Sequence, residues 1–220
     1  SYTFGWRVNT KDNFPENLED LLNTELKCQN IKKFEVINLG AGGYDIEYSV
    51  ERFKIRGQKY NPDLTLWLIR KNDFYTIRDI VGPKLKQYEE EIRADEALLK
   101  RFYSEGEFKP WIKKARQELE AQIGKQEMVE YQTKALQEIN NYYTGRLVFI
   151  SFASEDLGLK NDIKAMLRSF AQARGNTYFY DGINPNYDHF ADGHPTSNGY
   201  AQIANEIFNY LKSSHLIPCD

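Results

Sequence analysis

The sequence predicts a layered α/β fold with a mostly parallel sheet, and three features predict it. Short β-favouring runs alternate with segments whose apolar residues recur at helical spacing. No internal repeat or low-complexity segment interrupts this alternation. The length, 220 residues, suits one domain spanning 1–220 with a substantial core.

Taken in order, Leu18, Leu21, Leu22 and Leu26 follow Pro15 at the spacing of an amphipathic helix. Phe34, Val36, Ile37 and Leu39 form a β-favouring run ending in Gly40-Ala41-Gly42-Gly43, and a helix is expected from about Asp45 to Arg56. Asn61-Pro62-Asp63 reads as a turn, and Leu64 to Ile69 as a buried strand. From Lys84 to about Tyr143 the pattern is helical throughout. Leu85, Tyr88, Ile92, Leu99 and Phe102 open it, Ile112, Ala115, Leu119 and Ile123 continue it, and Met128, Tyr131, Ala135, Ile139 and Tyr142 close it. Gly106, Pro110 and Gly124 are the expected interruptions. A crossover needs only ~10–12 residues, so this stretch reads as a helical insertion. Arg146 to Phe152 is a strand; Leu159, Ile163, Leu167 and Phe170 mark a helix closed by Gly175; Thr177 to Tyr180 is a short strand. Tyr200, Ile203, Ala204, Ile207, Phe208 and Leu211 form the last helix.

Composition narrows the function classes. Hydrophobic residues at 41% and charged residues at 28% describe an ordinary globular chain. A net charge of −3 supplies no basic stripe for nucleic acid. No run approaches the ~18–20 apolar residues of a membrane span. Cys28 and Cys219 make neither a metal motif nor a disulfide framework, and the expectation is two unpaired thiols unless the fold brings them together. No metal and no organic cofactor is implied.

In open α/β sheets reactive groups gather on loops at the carboxyl ends of the strands. The last such loop reads Ala191-Asp192-Gly193-His194-Pro195-Thr196-Ser197-Asn198-Gly199-Tyr200. A histidine with a carboxylate beside it suits general-base chemistry, because the carboxylate fixes the imidazole tautomer and stabilises the imidazolium. His189 and His215 lack such a context and read as surface residues.

This block, Asp-Gly-His-Pro-Thr-x-x-Gly-Tyr, resembles the last sequence block of SGNH/GDSL hydrolases. Ser1-Tyr2-Thr3-Phe4-Gly5-Trp6 resembles the end of that family's first block, Gly-Asp-Ser-x-Thr-x-Gly, without its Gly-Asp. Val36-Ile37-Asn38-Leu39-Gly40-Ala41-Gly42-Gly43-Tyr44 resembles the second block, and Asn72-Asp73 the third, Gly-x-Asn-Asp. The four matches fall in family order from Ser1 to Tyr200. The resemblance implies a three-layer α/β/α sandwich with a mostly parallel sheet, lacking its first strand and carrying the insertion at about 84–143.

It also implies a serine esterase working through an acyl-enzyme on short acyl esters of carbohydrates, or on lipid esters. Ser1 would be the nucleophile, His194 the base and Asp192 its orienting acid, with Asp188 in reserve. The backbone N–H groups of Ser1 and Gly43 and the side-chain amide of Asn72 would form the oxyanion hole. Gly43 lacks a Cβ to obstruct a reacting carbonyl, and Asn72 offers uncharged donors. Three departures stand against the pattern: the absent Gly-Asp and preceding strand, Arg70 in place of glycine in the third block, and Asp-x-His instead of Asp-x-x-His, a spacing shared by relatives of the alginate acetyltransferase type.

An O-acyltransferase acting on a polysaccharide is one alternative. A catalytically silent binding or assembly domain on the same fold is another, favoured by Arg70 and the absent Gly-Asp. A third has Ser1 as an N-terminal nucleophile with its own α-amine as base. Gly5-Trp6-Arg7-Val8-Asn9 with Phe14-Pro15 resembles a bacterial subset whose members often carry an N-terminal membrane anchor, which implies an extracytoplasmic parent protein. On this reading the chain as written is expected to be unstable or nearly inactive, and one extended upstream through Gly-Asp soluble and active.

Overall fold

The computed structural model describes residues 2–97, 100, 108–217 and 219. They fall into two compact units. Ser1–Gly42, Arg56–Arg70 and Gly145–Asp220 form the first, and Gly43–Ile55 with Lys71–Thr144 the second.

The first unit is built on a three-stranded sheet. Strands β1 (Leu64–Leu68), β2 (Arg146–Phe152) and β3 (Thr177–Ile183) lie in the order β1-β2-β3, and both pairs are parallel. The central strand is almost wholly apolar because both of its faces are covered. Val148, Ile150 and Phe152 enter a cluster with Phe14, Leu18 and Leu22 of helix α1 (Phe14–Glu25) and Ile203, Ile207 and Leu211 of the final helix, Ser197–Ser213. Phe149, facing the other way, meets Phe170 of the helix Asn161–Arg174 with ring centroids 5.8 Å apart. Strand periodicity thus sends alternate residues of one segment into helices on opposite faces. The class is α/β with a small parallel sheet, as the sequence predicts.

The strands expected at 64–69, 146–152 and 177–180 are present, the last running on to Ile183 past a register irregularity opposite Ile150 and Phe152. The expected strand over Phe34–Leu39 is not formed. Its backbone groups are met by side chains of α1 instead: Phe34 N–H donates to Asn23 Oδ1 at 2.9 Å, Asn23 Nδ2 donates to the Phe34 carbonyl at 3.0 Å, and Val36 N–H donates to Glu19 Oε2 at 2.7 Å. β propensity describes a residue's fit to a pleated, half-buried surface, and here helix side chains supply the partners that a neighbouring strand would.

Helix α1 starts where Asn13 accepts a hydrogen bond from Glu16 N–H at 3.0 Å, with Pro15 in the first turn. The final helix starts at Thr196, whose Oγ1 accepts from Gly199 N–H at 3.2 Å. Gly199 is pressed so closely on the preceding loop that a Cβ there would lie 1.9 Å from the Asp188 carbonyl oxygen.

The second unit is helical. It holds α2 (Ile46–Arg52), α3 (Lys71–Phe74), α4 (Arg78–Arg93), α5 (Phe108–Ile123) and α6 (Lys125–Gln137), so the helices Asn161–Arg174 and Ser197–Ser213 of the first unit are α7 and α8. Ile77, Val81, Tyr88, Ala115, Leu119 and Met128 form a core with the stripe spacing that the sequence shows. Helix α4 begins at Arg78, earlier than Lys84, and runs through Pro83. Gly124 breaks the chain between α5 and α6 with φ +90°. Pro110 interrupts nothing, because it falls in the first turn of α5, where a missing N–H is tolerated. Leu99, Phe102 and Gly106 lie outside the described residues. Buried Asp45 caps α2 by accepting from Tyr48 N–H at 3.0 Å, and its other oxygen accepts from Arg78 N–H at 2.7 Å.

Cys28 and Cys219 form a disulfide, with Cα atoms 4.6 Å apart. The expectation of two unpaired thiols is therefore corrected. The cysteines follow α1 and α8, helices packed into one cluster, so the fold brings together positions 191 residues apart in sequence. The bond restricts the unfolded chain, and the double substitution Cys28→Ser/Cys219→Ser is expected to lower stability by about 2–4 kcal/mol. Urea unfolding with and without reductant checks this: the wild-type midpoint should fall on reduction, and that of the variant should not move.

Candidate functional site

The loop between β3 and α8 places the histidine. Phe190 N–H donates to the His194 carbonyl at 2.8 Å, and Gly193 N–H returns a bond to the Phe190 carbonyl at 2.8 Å. Gly193 adopts φ +84°, a conformation glycine enters without the steric cost of a Cβ. The turn folds Asp192 back on the residue two positions later. Its Oδ1 accepts from His194 N–H at 3.0 Å and lies 3.3 Å from His194 Nδ1. Asp188 is turned to another task, accepting from Thr196 Oγ1 at 2.6 Å.

The N-terminal turn reaches the same loop. Arg7 Nη1 lies 3.1 Å from Asp192 Oδ2, and the Arg7 guanidinium sits 4.8 Å from the centroid of the Phe190 ring. Tyr2 is buried, its hydroxyl 2.7 Å from the Tyr187 hydroxyl and donating to the Gly193 carbonyl at 2.6 Å. Its ring lies 5.4 Å from the His194 ring and 5.7 Å from the ring of Phe152, the last residue of β2. Arg70, just beyond β1, holds its guanidinium 4.3 Å from the Tyr2 ring and donates from Nε to the Leu157 carbonyl at 3.0 Å. Trp6, half exposed, has its ring 6.3 Å from that of His194. The group therefore assembles at the carboxyl ends of the parallel strands.

Burial lowers the His194 pKa below its ordinary value; the Asp192 carboxylate opposes this, and Arg70 adds to the lowering. Burial alone would raise the pKa of Asp192, but the His194 N–H, the Arg7 guanidinium and the His194 ring together hold it below the usual range. Near neutral pH this gives a neutral imidazole beside an ionised carboxylate. The contribution of His194 is full above about pH 6.5 and declines as pH falls from there towards the folded pKa, because the unfolded chain takes up the proton first. The contribution of Asp192 is present above about pH 4 and is lost as pH falls through its lowered pKa.

Of the residues proposed from sequence, the first unit brings Asp192 and His194 together. Ser1 lies outside the described residues; its chain neighbour Tyr2 packs on His194. Gly43 and Asn72 belong to the second unit. There Gly43 adopts φ +71° and its carbonyl accepts from Arg78 Nη1 at 2.6 Å, while Asn72 lies in α3. Asn38 performs a task that its block alone did not disclose: its Nδ2 donates to the Thr3 carbonyl at 2.8 Å and its Oδ1 accepts from Gly40 N–H at 2.8 Å. A Cβ on Gly40 would meet the Phe4 nitrogen at 2.4 Å, so this glycine permits the contact with the N-terminal turn. His189 and His215 are exposed. Among the described residues no group of three or more His, Cys, Asp or Glu side chains is placed to hold a metal ion, and no helix is long and apolar enough to cross a membrane.

Sequence reasoning missed Arg7 and Tyr2 as neighbours of the pair. The only signal was their position in the motif-like N-terminal segment, since ion pairing across 185 residues leaves no local pattern. Comparison with protein-family models, with curated proteins and with solved structures finds no match.

Two outcomes are expected here. Asp192→Asn should lower the His194 pKa further, by removing the charge that favours the imidazolium; NMR titration of the imidazole C2–H over roughly pH 4–8 measures it. Gly199→Ala should destabilise the protein by about 1–3 kcal/mol, the usual cost of overpacking a close contact, seen as a lower thermal midpoint.

Proposed function

We propose that this chain is a serine esterase of SGNH/GDSL type acting on short acyl esters of carbohydrates, with lipid esters as the next substrate class. The observation that carries the reading is the Asp192–His194 pair at the carboxyl edge of a parallel sheet, packed against Tyr2, the residue bonded to Ser1. The order of the four sequence blocks supports it, and so does the tie from Asn38 in the second block to Thr3 in the first.

In this mechanism Ser1 Oγ attacks the ester carbonyl and its proton passes to His194 Nε2, since Nδ1 faces Asp192. The resemblance assigns the tetrahedral oxyanion to the N–H groups of Ser1 and Gly43 and the amide of Asn72, the latter two belonging to the second unit. A donor of this kind is typically worth ~10²–10³ in rate. Collapse of the intermediate expels the alcohol, which takes the proton from His194 and leaves an acyl-serine. Water, activated by His194, then releases the acid. A sugar hydroxyl in place of water makes the same site an O-acyltransferase. The disulfide supports an oxidising, extracytoplasmic compartment. A catalytically silent domain is the reading from another class, favoured by Arg70 in place of the family's glycine.

The test is hydrolysis of 4-nitrophenyl acetate and of an acetylated sugar, alongside labelling by a fluorophosphonate read as intact mass. Wild type should turn over and take up one label on Ser1, and Ser1→Ala should do neither. Asp192→Asn should lose about 10⁴ in rate with little change in stability, while Asp188→Asn stays near wild type. Neither turnover nor labelling in the wild-type protein would favour the silent domain.

A further inference from the structure

Arg7 is a charged residue in a backbone conformation that favours glycine. Its φ is +70°, one of three positive values among the described non-glycine residues. In that region a Cβ crowds the backbone, and such a conformation persists where surrounding contacts hold it. Two contacts do so here. The guanidinium pairs with Asp192 Oδ2 at 3.1 Å and lies over the Phe190 ring at 4.8 Å. The other oxygen of the same carboxylate faces His194, through its N–H at 3.0 Å and Nδ1 at 3.3 Å. Asp192 is thus held from both sides, one oxygen to each partner, and glycine at position 7 would ease the backbone while losing this hold.

We propose that Arg7 is a positioning residue that fixes the rotamer of Asp192 and takes up part of its charge, and so sets how readily His194 carries a proton. The kinetic part of this inference rests on His194 being the general base; the electrostatic part does not. Among the described residues, the charged and titratable groups around the His194 ring are Asp192 on its own loop, Tyr2 on the N-terminal turn and Arg70 beyond β1. Tyr187 lies behind Tyr2. Arg7 reaches the ring through Asp192. Removing the guanidinium removes a positive charge and leaves the carboxylate charge to act wholly on the imidazole. Both effects favour the imidazolium, so the His194 pKa rises, and a carboxylate free to rotate orients the ring less well.

The experiment compares the wild-type chain with Arg7→Gly and Arg7→Lys. Thermal unfolding, NMR titration of the His194 imidazole, and kcat and KM for 4-nitrophenyl acetate across pH are measured for each. Arg7→Gly is expected to unfold at or above the wild-type temperature, since its backbone is relieved, while its His194 pKa rises. Its kcat should fall roughly 10–100-fold, by analogy with the loss of an outer partner of a metal-ligating histidine, with KM little changed and the acid limb of the pH profile moved upward. Arg7→Lys, which keeps the charge on one donor, should recover part of each effect. An unmoved His194 titration in Arg7→Gly overturns the proposal, and so does loss of the fold, which would make Arg7 merely structural. A shifted titration in a protein that neither hydrolyses esters nor takes up fluorophosphonate would uphold the role of Arg7 and refute the esterase.

Discussion

The buried hydroxyl of Tyr2 is the contact on which the candidate site depends. It forms a small triangle of oxygens, donating to the Gly193 carbonyl at 2.6 Å and accepting from the Tyr187 hydroxyl at 2.7 Å, which itself lies 3.1 Å from the same carbonyl. Burial raises the Tyr187 pKa, so that phenol stays a neutral donor. Around the triangle stand the end of β2 through Phe152, the end of β1 through Arg70, and the His194 loop. A phenol suits this place because its ring fills apolar space while its hydroxyl donates to a part-buried carbonyl. Without it, the Gly193 carbonyl and the Arg70 guanidinium would both lose a partner.

The fold was legible where periodicity reported burial directly. Leu147, Val148, Phe149 and Ile150 are all buried, and their unbroken apolar run marks a strand covered on both faces. The stripes of α1, α7 and α8 gave themselves away by spacing. What could not be read was who pairs with whom. Phe34 to Leu39 has the composition of a strand, yet Asn23 and Glu19 occupy its backbone groups, and no local pattern tells a helix carboxylate from a strand as partner. The start of α4 at Arg78 was hidden because Gly82-Pro83 falls in the helix interior, where both residues are unfavourable and read as a break.

The site was legible in part. Asp192 and His194 are two positions apart and shared by one turn, so the motif held the geometry. Arg7, Tyr2 and Asn38 reach their partners across tens to hundreds of residues, and only the folded chain sets those distances. Glycines behaved likewise. In Gly40-Ala41-Gly42-Gly43 the run itself was evident, but that Gly40 faces the Thr3–Phe4 backbone while Gly43 takes a left-handed conformation beside Arg78 is a property of packing. Gly199 belongs with them: its place in a motif was plain, and its reason, the Asp188 carbonyl against the first turn of α8, was not.

The Cys28–Cys219 bond makes most of the chain a covalent ring. A protease that cuts once at any exposed loop between these residues opens the ring without releasing a fragment, so the two pieces still migrate together until the bond is reduced. Such a nicked molecule also keeps the native neighbourhood of its new ends, which lets noncovalent packing hold it folded where a linear chain would come apart. The helical second unit lies wholly inside that ring, and nicks within it are the ones this arrangement masks.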